Sequence, residues 1–244
     1  MTAMALNDLV TPHGAVASGS FGDSAAPRRL PTLTSVILVD DAQQLHNIGH
    51  PRVSLVLWRR RADPKIAREV AGLTTKRLLN GRIALSAAET QAQCMARLQG
   101  LLQESGIESA GFGWWVADMA MLAERFADLV TRTLGPSPIT ARVETLDDVA
   151  CPRFHVDRTR LRLLCTYRGP ATEWLPDEEV DRVALEGRQP NDQIQRGAQP
   201  RALEPFWVGL FKGECFPGNA GRGQVHRSPA VPPDGLRVLF CLDA

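Results

Sequence analysis

The sequence predicts an α+β fold, with a mainly helical region over about 35–138 followed by a β-rich domain over 139–244. Three observations predict it. Apolar residues between Trp115 and Leu134 recur at three- and four-residue spacing, the period of a helix with one buried face. From Ile139 onward the pattern changes to short apolar or alternating runs, as in half-buried strands. Gly and Pro clusters at 168–170, 187–200, 217–223 and 229–235 separate those runs, as the turns of a sandwich or barrel require.

Residues 1–34 are rich in Gly, Ala, Ser and Pro without periodicity and read as a mobile tail. Residues 35–39 and 53–58 combine β-branched and bulky apolar side chains and read as strands. Asp63-Pro64 sets an N-cap residue before proline at the first helical position, so a helix follows over about 64–80. Ser86-Ala-Ala-Glu89 has the form of a capping box and starts a second helix reaching about Glu104. The third helix ends where Gly135-Pro136 stops it. Strands are then expected at Ile139–Leu146, Phe154–Tyr167, Phe206–Phe211 and Gly235–Leu242.

Hydrophobic residues make up 44% of the 244, enough for a substantial core. A formal net charge of +1 gives no electrostatic case for nucleic acid or an anionic membrane surface as a partner. No apolar run approaches a membrane span, and the N-terminus lacks the basic and apolar regions of a secretory signal. Cys94, Cys151, Cys165, Cys215 and Cys241 are scattered without a CxxC pair, so free thiols in a reducing cytoplasm are the simplest reading.

Chemistry concentrates in the two histidines of the β region. His155 and Asp157 lie two apart in Arg153-Phe-His-Val-Asp157, which on a strand turns both to one face. The same alternation assigns Leu161, Leu163, Cys165 and Tyr167 to that face, and Arg158, Arg160 and Arg162 to a solvated one. A carboxylate on an apolar face is costly without a partner, which a metal would supply. His226, in Gly221-Arg-Gly-Gln-Val-His226, is the third candidate ligand. Two histidines and a carboxylate make the facial triad of non-heme iron(II) oxygenases, with open positions for other ligands; imidazole also suits zinc, nickel, copper and manganese. Arg237 follows across a Pro-rich turn that is expected to return its strand beside that of His226. Arg237, Leu239 and Cys241 then share one side, and Leu236, Val238 and Phe240 the other. An arginine inside a small barrel needs an anion, and its planar fork suits a carboxylate.

The order His-x-Asp, a long gap, His, then Arg about ten residues on resembles the 2-oxoglutarate- and iron(II)-dependent oxygenases. That resemblance implies a double-stranded β-helix (jelly-roll, cupin-like) over 139–244. It implies Fe(II), with Zn, Mn or Ni as alternatives, on His155, Asp157 and His226, and 2-oxoglutarate held at its distal carboxylate by Arg237. The segment is short for that barrel, so part of the N-terminal region is expected to pack against it. The chain also resembles an uncharacterised bacterial family, domain of unknown function 1826. The strings Cys151-Pro-Arg-Phe-His-Val-Asp157, Leu163-Leu-Cys-Thr-Tyr-Arg-Gly-Pro-Ala-Thr-Glu-Trp-Leu-Pro176, Phe211-Lys-Gly-Glu214 and Gly223-Gln-Val-His-Arg-Ser-Pro229 carry that likeness. It brings no established activity; occurrence of its members among genes for zinc homeostasis would favour a metal-related role.

Plainer readings stand beside these. His155 could be a buried histidine satisfied by Asp157 or by backbone, and Arg237 an exposed residue on an edge strand. Gly221-Arg-Gly223 makes a tight turn in preference to an anion-binding nest. A Cys151 thiolate would favour zinc, but four strand residues separate it from His155 by roughly 13 Å. Trp174 and Trp207 read as core before pocket, and His13, His46 and His50 carry no assigned role. Three functions follow: an oxygenase acting on a small molecule or protein, a non-catalytic metal-binding protein, and a cupin-like metalloenzyme that does not use 2-oxoglutarate. Only the first requires Arg237 inside, near the metal.

Overall fold

The computed structural model describes residues 35–244 apart from 77 and 87; the tail expected over 1–34 lies outside the described residues. The chain opens with β1 (Val36–Val39), a 3₁₀ turn (Ala42–Gly49), β2 (Leu55–Trp58), α1 (Pro64–Ala71), β3 (Asn80–Leu85) and α2 (Gln91–Glu104). A second 3₁₀ turn (Ser109–Phe112) leads into α3 (Gly113–Leu134), β4 (Ile139–Leu146), β5 (Leu161–Arg168) and β6 (Glu173–Trp174). A 3₁₀ turn (Asp177–Glu179), α4 (Arg182–Glu186), α5 (Asn191–Ile194), β7 (Arg201–Ala202), β8 (Val208–Lys212), β9 (His226–Arg227) and β10 (Arg237–Asp243) complete it.

Seven strands form a large sheet in the order β1-β2-β8-β5-β10-β4-β3, and three short ones form a second sheet, β7-β6-β9. All pairings are antiparallel except β1 with β2. One face of the large sheet joins the helices: Val143, Leu163, Val238 and Phe240 share a buried cluster with Leu98 of α2 and with Trp115, Met119, Phe126 and Val130 of α3. The other face meets the small sheet through Leu55, Leu57, Leu164, Trp174, Phe211, Leu239 and Cys241. Alternation along β10 produces this division and matches the sides expected for Leu236 to Cys241. A half-buried polar network pins α3 to the sheet. Arg60 forks onto both carboxylate oxygens of Asp118 at 3.0 and 2.7 Å, and the Tyr167 hydroxyl donates to the same carboxylate at 2.6 Å. Lys212, at the end of β8, is also buried; its Nζ donates to the His50 carbonyl at 2.8 Å and lies over the Phe216 ring.

Several expectations need correction. The boundary at 138/139 runs through one sheet, because β3 pairs with β4 and β2 with β8; the described residues fall in one compact unit. The first helix stops at Ala71, not near 80. The Arg168 guanidinium caps it by donating to the carbonyls of Val70, Ala71 and Leu73 at 3.4, 3.3 and 2.8 Å, satisfying acceptors that a helix end leaves open. The chain beyond it is used as an edge strand. Ser86 and Glu89 close a local turn, whereas the N-cap of α2 is Thr90, with Thr90 and Gln93 as its capping box. Residues 154–160 are irregular, not the first half of a continuous strand.

Candidate metal centre

His155 and His226 are directly opposed across an antiparallel bridge, each backbone N–H donating to the other's carbonyl at 3.0 Å. Opposed residues turn their side chains to the same face, which is why two histidines far apart in sequence stand with ring centroids 4.5 Å apart. Asp157 follows His155 by two and turns to the same side. A loop against the β8–β9 connection fixes it: Glu214 N–H donates to the Asp157 carbonyl at 2.7 Å, and Cys215 N–H to that of Thr159 at 3.2 Å. Gly213 makes this approach possible, since a Cβ there would lie 2.0 Å from the Thr159 carbonyl oxygen and 2.9 Å from that of Asp157.

The three side chains each offer a ligand atom within 4.8 Å of the others. His226 Nδ1 donates to the Gln224 carbonyl at 3.1 Å and His155 Nδ1 to that of Arg153 at 2.9 Å, because a carbonyl can only accept. Each neutral ring therefore presents a bare Nε2. His226 Nε2 lies 3.3 Å from Asp157 Oδ2, and His155 Nε2 lies 3.7 Å from Asp157 Oδ1. Burial holds His226 neutral, pushing its pKa down to about 4 against the pull of Asp157 and with the help of His155. Asp157 Oδ2 is buried and accepts no hydrogen bond. Lone pairs thus converge with no proton between His226 and the carboxylate, an arrangement that a cation relieves and that a satisfied His–Asp pair would not adopt. The residues present fit a divalent metal.

Arg162 is the neighbour that sequence reasoning misplaced. Its Nη1 donates to Asp157 Oδ1, while Nε and Nη2 fork onto Asp243 at 2.5 and 3.1 Å. It therefore faces the site, and Leu161, Leu163, Cys165 and Tyr167 face the helices, because the irregular turn at 158–160 resets the alternation between Asp157 and β5. Cys151 Sγ lies 3.5 Å from His155 Nδ1, on the side turned away from the three convergent donors.

Arg237 is buried in the same interior. A cavity of about 310 Å³ is lined by Arg237 together with His155, His226, Arg162, Thr172 and Ser228. Its strand is not beside that of His226; β10 lies inside the facing large sheet, between β5 and β4, so the guanidinium reaches across the interior. Nη2 donates to Thr172 Oγ1 at 2.8 Å and Nη1 to Ser228 Oγ at 3.3 Å, and Nε has no partner. Among the described residues no carboxylate is within ion-pair distance of it, so neither Asp243 nor Glu214 takes the part of a protein counter-ion. Burial lowers its pKa to about 10, with Glu144 and Cys241 pulling the other way. Thr172 and Ser228, which orient this fork, lie within the strings that carry the family likeness, but nothing in them assigned either residue a role.

Residues 39–243 match the family model described as "Protein of unknown function (DUF1826)". The chain belongs to that family. No curated protein matches it in sequence. Similar solved structures include dioxygenase for auxin oxidation 1 from Arabidopsis thaliana, in a 2-oxoglutarate complex. There the identity is 10% over 85% of this DUF1826 chain and 91% of the other, with a TM-score of 0.44. The dioxygenase for auxin oxidation in rice is 16% identical over 85% and 81%, with a TM-score of 0.42. A Pseudomonas putida prolyl-4-hydroxylase is 10% identical over 75% and 94%, with a TM-score of 0.34. Among the described residues of this DUF1826 protein, no helix is long and apolar enough to cross a membrane.

Proposed function

We propose that the protein is a non-heme iron(II), 2-oxoglutarate-dependent oxygenase built on a double-stranded β-helix. His155, Asp157 and His226 hold the metal, and Arg237 receives the distal carboxylate of 2-oxoglutarate. The observation that carries this reading is the buried Arg237 guanidinium, which shares one cavity with His155 and His226 and has only hydroxyl partners. A buried cation left with neutral partners is costly, and a dicarboxylate bound at the metal would supply its missing anion in bidentate form. The metal-binding and cupin-like alternatives give that arginine no task.

Iron(II) with 2-oxoglutarate bound supplies the oxidative decarboxylation chemistry that activates oxygen. The chain's own residues do the rest. Gln224 and Arg153 carbonyls fix the tautomers of His226 and His155. Arg162 occupies Asp157 Oδ1 and leaves Oδ2 free to ligate. Thr172 and Ser228 aim the Arg237 fork. The test is succinate formation from 2-oxoglutarate with added iron(II) and ascorbate, beside a titration of metal into the metal-free protein. Wild type should bind one metal and turn over 2-oxoglutarate, and His226→Ala should lose both. Metal binding unaffected by His226→Ala would sink the assignment of the centre.

A further inference from the structure

We infer that the substrate is a small organic anion with an apolar body, bound in a second cavity on the outer side of His155. The inference rests on the oxygenase reading for its chemistry and on the walls of this cavity for the substrate class. The cavity measures about 610 Å³ and shares Cys151 and His155 with the smaller one that holds Arg237. His155 is the one candidate metal ligand that lines both cavities, so its ring is the wall between the acid-sized space and the ligand-sized one.

Cations dominate the wall of the larger cavity. Arg153, Arg158, Arg182 and Arg188 line it against Glu186 and Glu214. Arg182 is neutralised by Asp177, with Nε at 3.0 Å, and Glu214 accepts from Gly221 N–H. Arg153 Nη2 donates to the carbonyls of Arg188 and Gln189, neutral acceptors that leave its charge uncompensated. Arg158 and Arg188 are exposed and form no ion pair among the described residues. Arg188 is held in the left-handed region at φ 52°, a conformation that costs a non-glycine residue energy; the grip of Arg153 on this turn keeps it beside the cavity. The floor is apolar: Phe154, Val156 and Leu185 reach it from the cluster beneath. An anionic head against the rim and an apolar body on this floor satisfy both surfaces. With Arg182 paired to Asp177, three guanidiniums face two carboxylates, Glu186 and Glu214, so the wall keeps a small positive excess that favours an anion over a cation.

The test uses phenyl phosphate, phenylacetate and phenethylamine as matched probes, with 2-oxoglutarate saturating so that Arg237 is already occupied. Saturation-transfer NMR reads binding, and Mn(II) placed at the metal centre reads proximity through relaxation of the probe's ring protons. Both anions should bind and relax, the amine should not, and the tighter anion identifies the headgroup. Arg158→Ala/Arg188→Ala should weaken anion binding by about tenfold or more, near 1.4 kcal/mol, while the melting temperature and Mn(II) affinity stay at wild-type values. Amine binding equal to that of the anions, or unchanged anion affinity in the double variant, overturns the inference. The two readings fail separately. Anion preference without Mn(II) binding sinks the metal centre and keeps the cavity, whereas Mn(II) and 2-oxoglutarate binding without anion preference does the reverse.

Discussion

Replacing Arg237 by methionine should make the protein more stable and less able to bind 2-oxoglutarate. The guanidinium is buried without a carboxylate partner, and burial drops its pKa to about 10. A depression of that size corresponds to ~3 kcal/mol against the charged form. Its compensation is two hydrogen bonds to hydroxyls, at 2.8 and 3.3 Å, worth roughly 1 kcal/mol each. Methionine keeps an unbranched stem and removes the charge, so the ligand-free variant should gain about 1 kcal/mol, or roughly 2–4 °C in Tm for a domain of this size. Binding should move the opposite way. Removing one member of a buried, hydrogen-bonded charge pair costs about 2–5 kcal/mol, so 2-oxoglutarate should bind roughly 30-fold weaker or worse. Scanning calorimetry of the metal-loaded protein and isothermal titration with 2-oxoglutarate measure the two effects. A destabilised variant with unchanged 2-oxoglutarate affinity would refute the argument and make Arg237 a structural residue.

Other perturbations test the surrounding frame. Gly213→Ala drives a Cβ into the Thr159 and Asp157 carbonyls and should displace Asp157, costing several kcal/mol with loss of metal binding; wild-type metal affinity in this variant would contradict the packing described. Arg60→Met leaves the half-buried Asp118 carboxylate with only Tyr167, and should cost about 1–3 kcal/mol in urea unfolding while metal affinity holds. Burial, with help from Arg222, lowers the Lys212 pKa from 10.5 to about 8. Between those values the unfolded chain binds a proton that the native one does not, so Lys212 contributes stability that rises from pH 8 to 10.5, by up to ~3 kcal/mol. Lys212→Met should remove that rise relative to wild type, and parallel pH profiles for the two proteins would exclude it.

The parts legible in the sequence are those where one period persists. Ile139–Leu146 alternates over its whole length and is a strand with those bounds; the apolar stripe of α3 recurs for more than five turns. His155, Asp157 and His226 were legible because strand parity and residue type agree. Their convergence depends on a backbone bridge between His155 and His226 that no local pattern encodes. The side of Arg162 was not legible, because the turn at 158–160 breaks the alternation used to assign it. The edge strand Asn80–Leu85 begins Asn-Gly-Arg, carries little apolar signal, and exists because β4 offers it a partner. Two-residue strands such as β6 and β9 are too short to have a period at all.

The sheet order constrains how the molecule can be made. β1 and β2 lie at one edge and β3 at the other, and the strand that joins the β8–β5 side to the β4–β3 side is β10, which follows every other described element in sequence. During synthesis α2 and α3 emerge with apolar faces whose cover, Val238 and Phe240 among it, is still untranslated. Such non-local pairing folds slowly and leaves intermediates with unpaired edges. Arg237 and Asp243 arrive on that same closing strand, so a nascent chain can align His155 with His226 before Arg162 has its Asp243 partner or the cavity its arginine. Acquisition of the proposed cosubstrate site is thereby tied to completion of the sheet, and a ribosome-stalled fragment ending before residue 237 should expose hydrophobic surface to chaperones while lacking the Arg237 cavity.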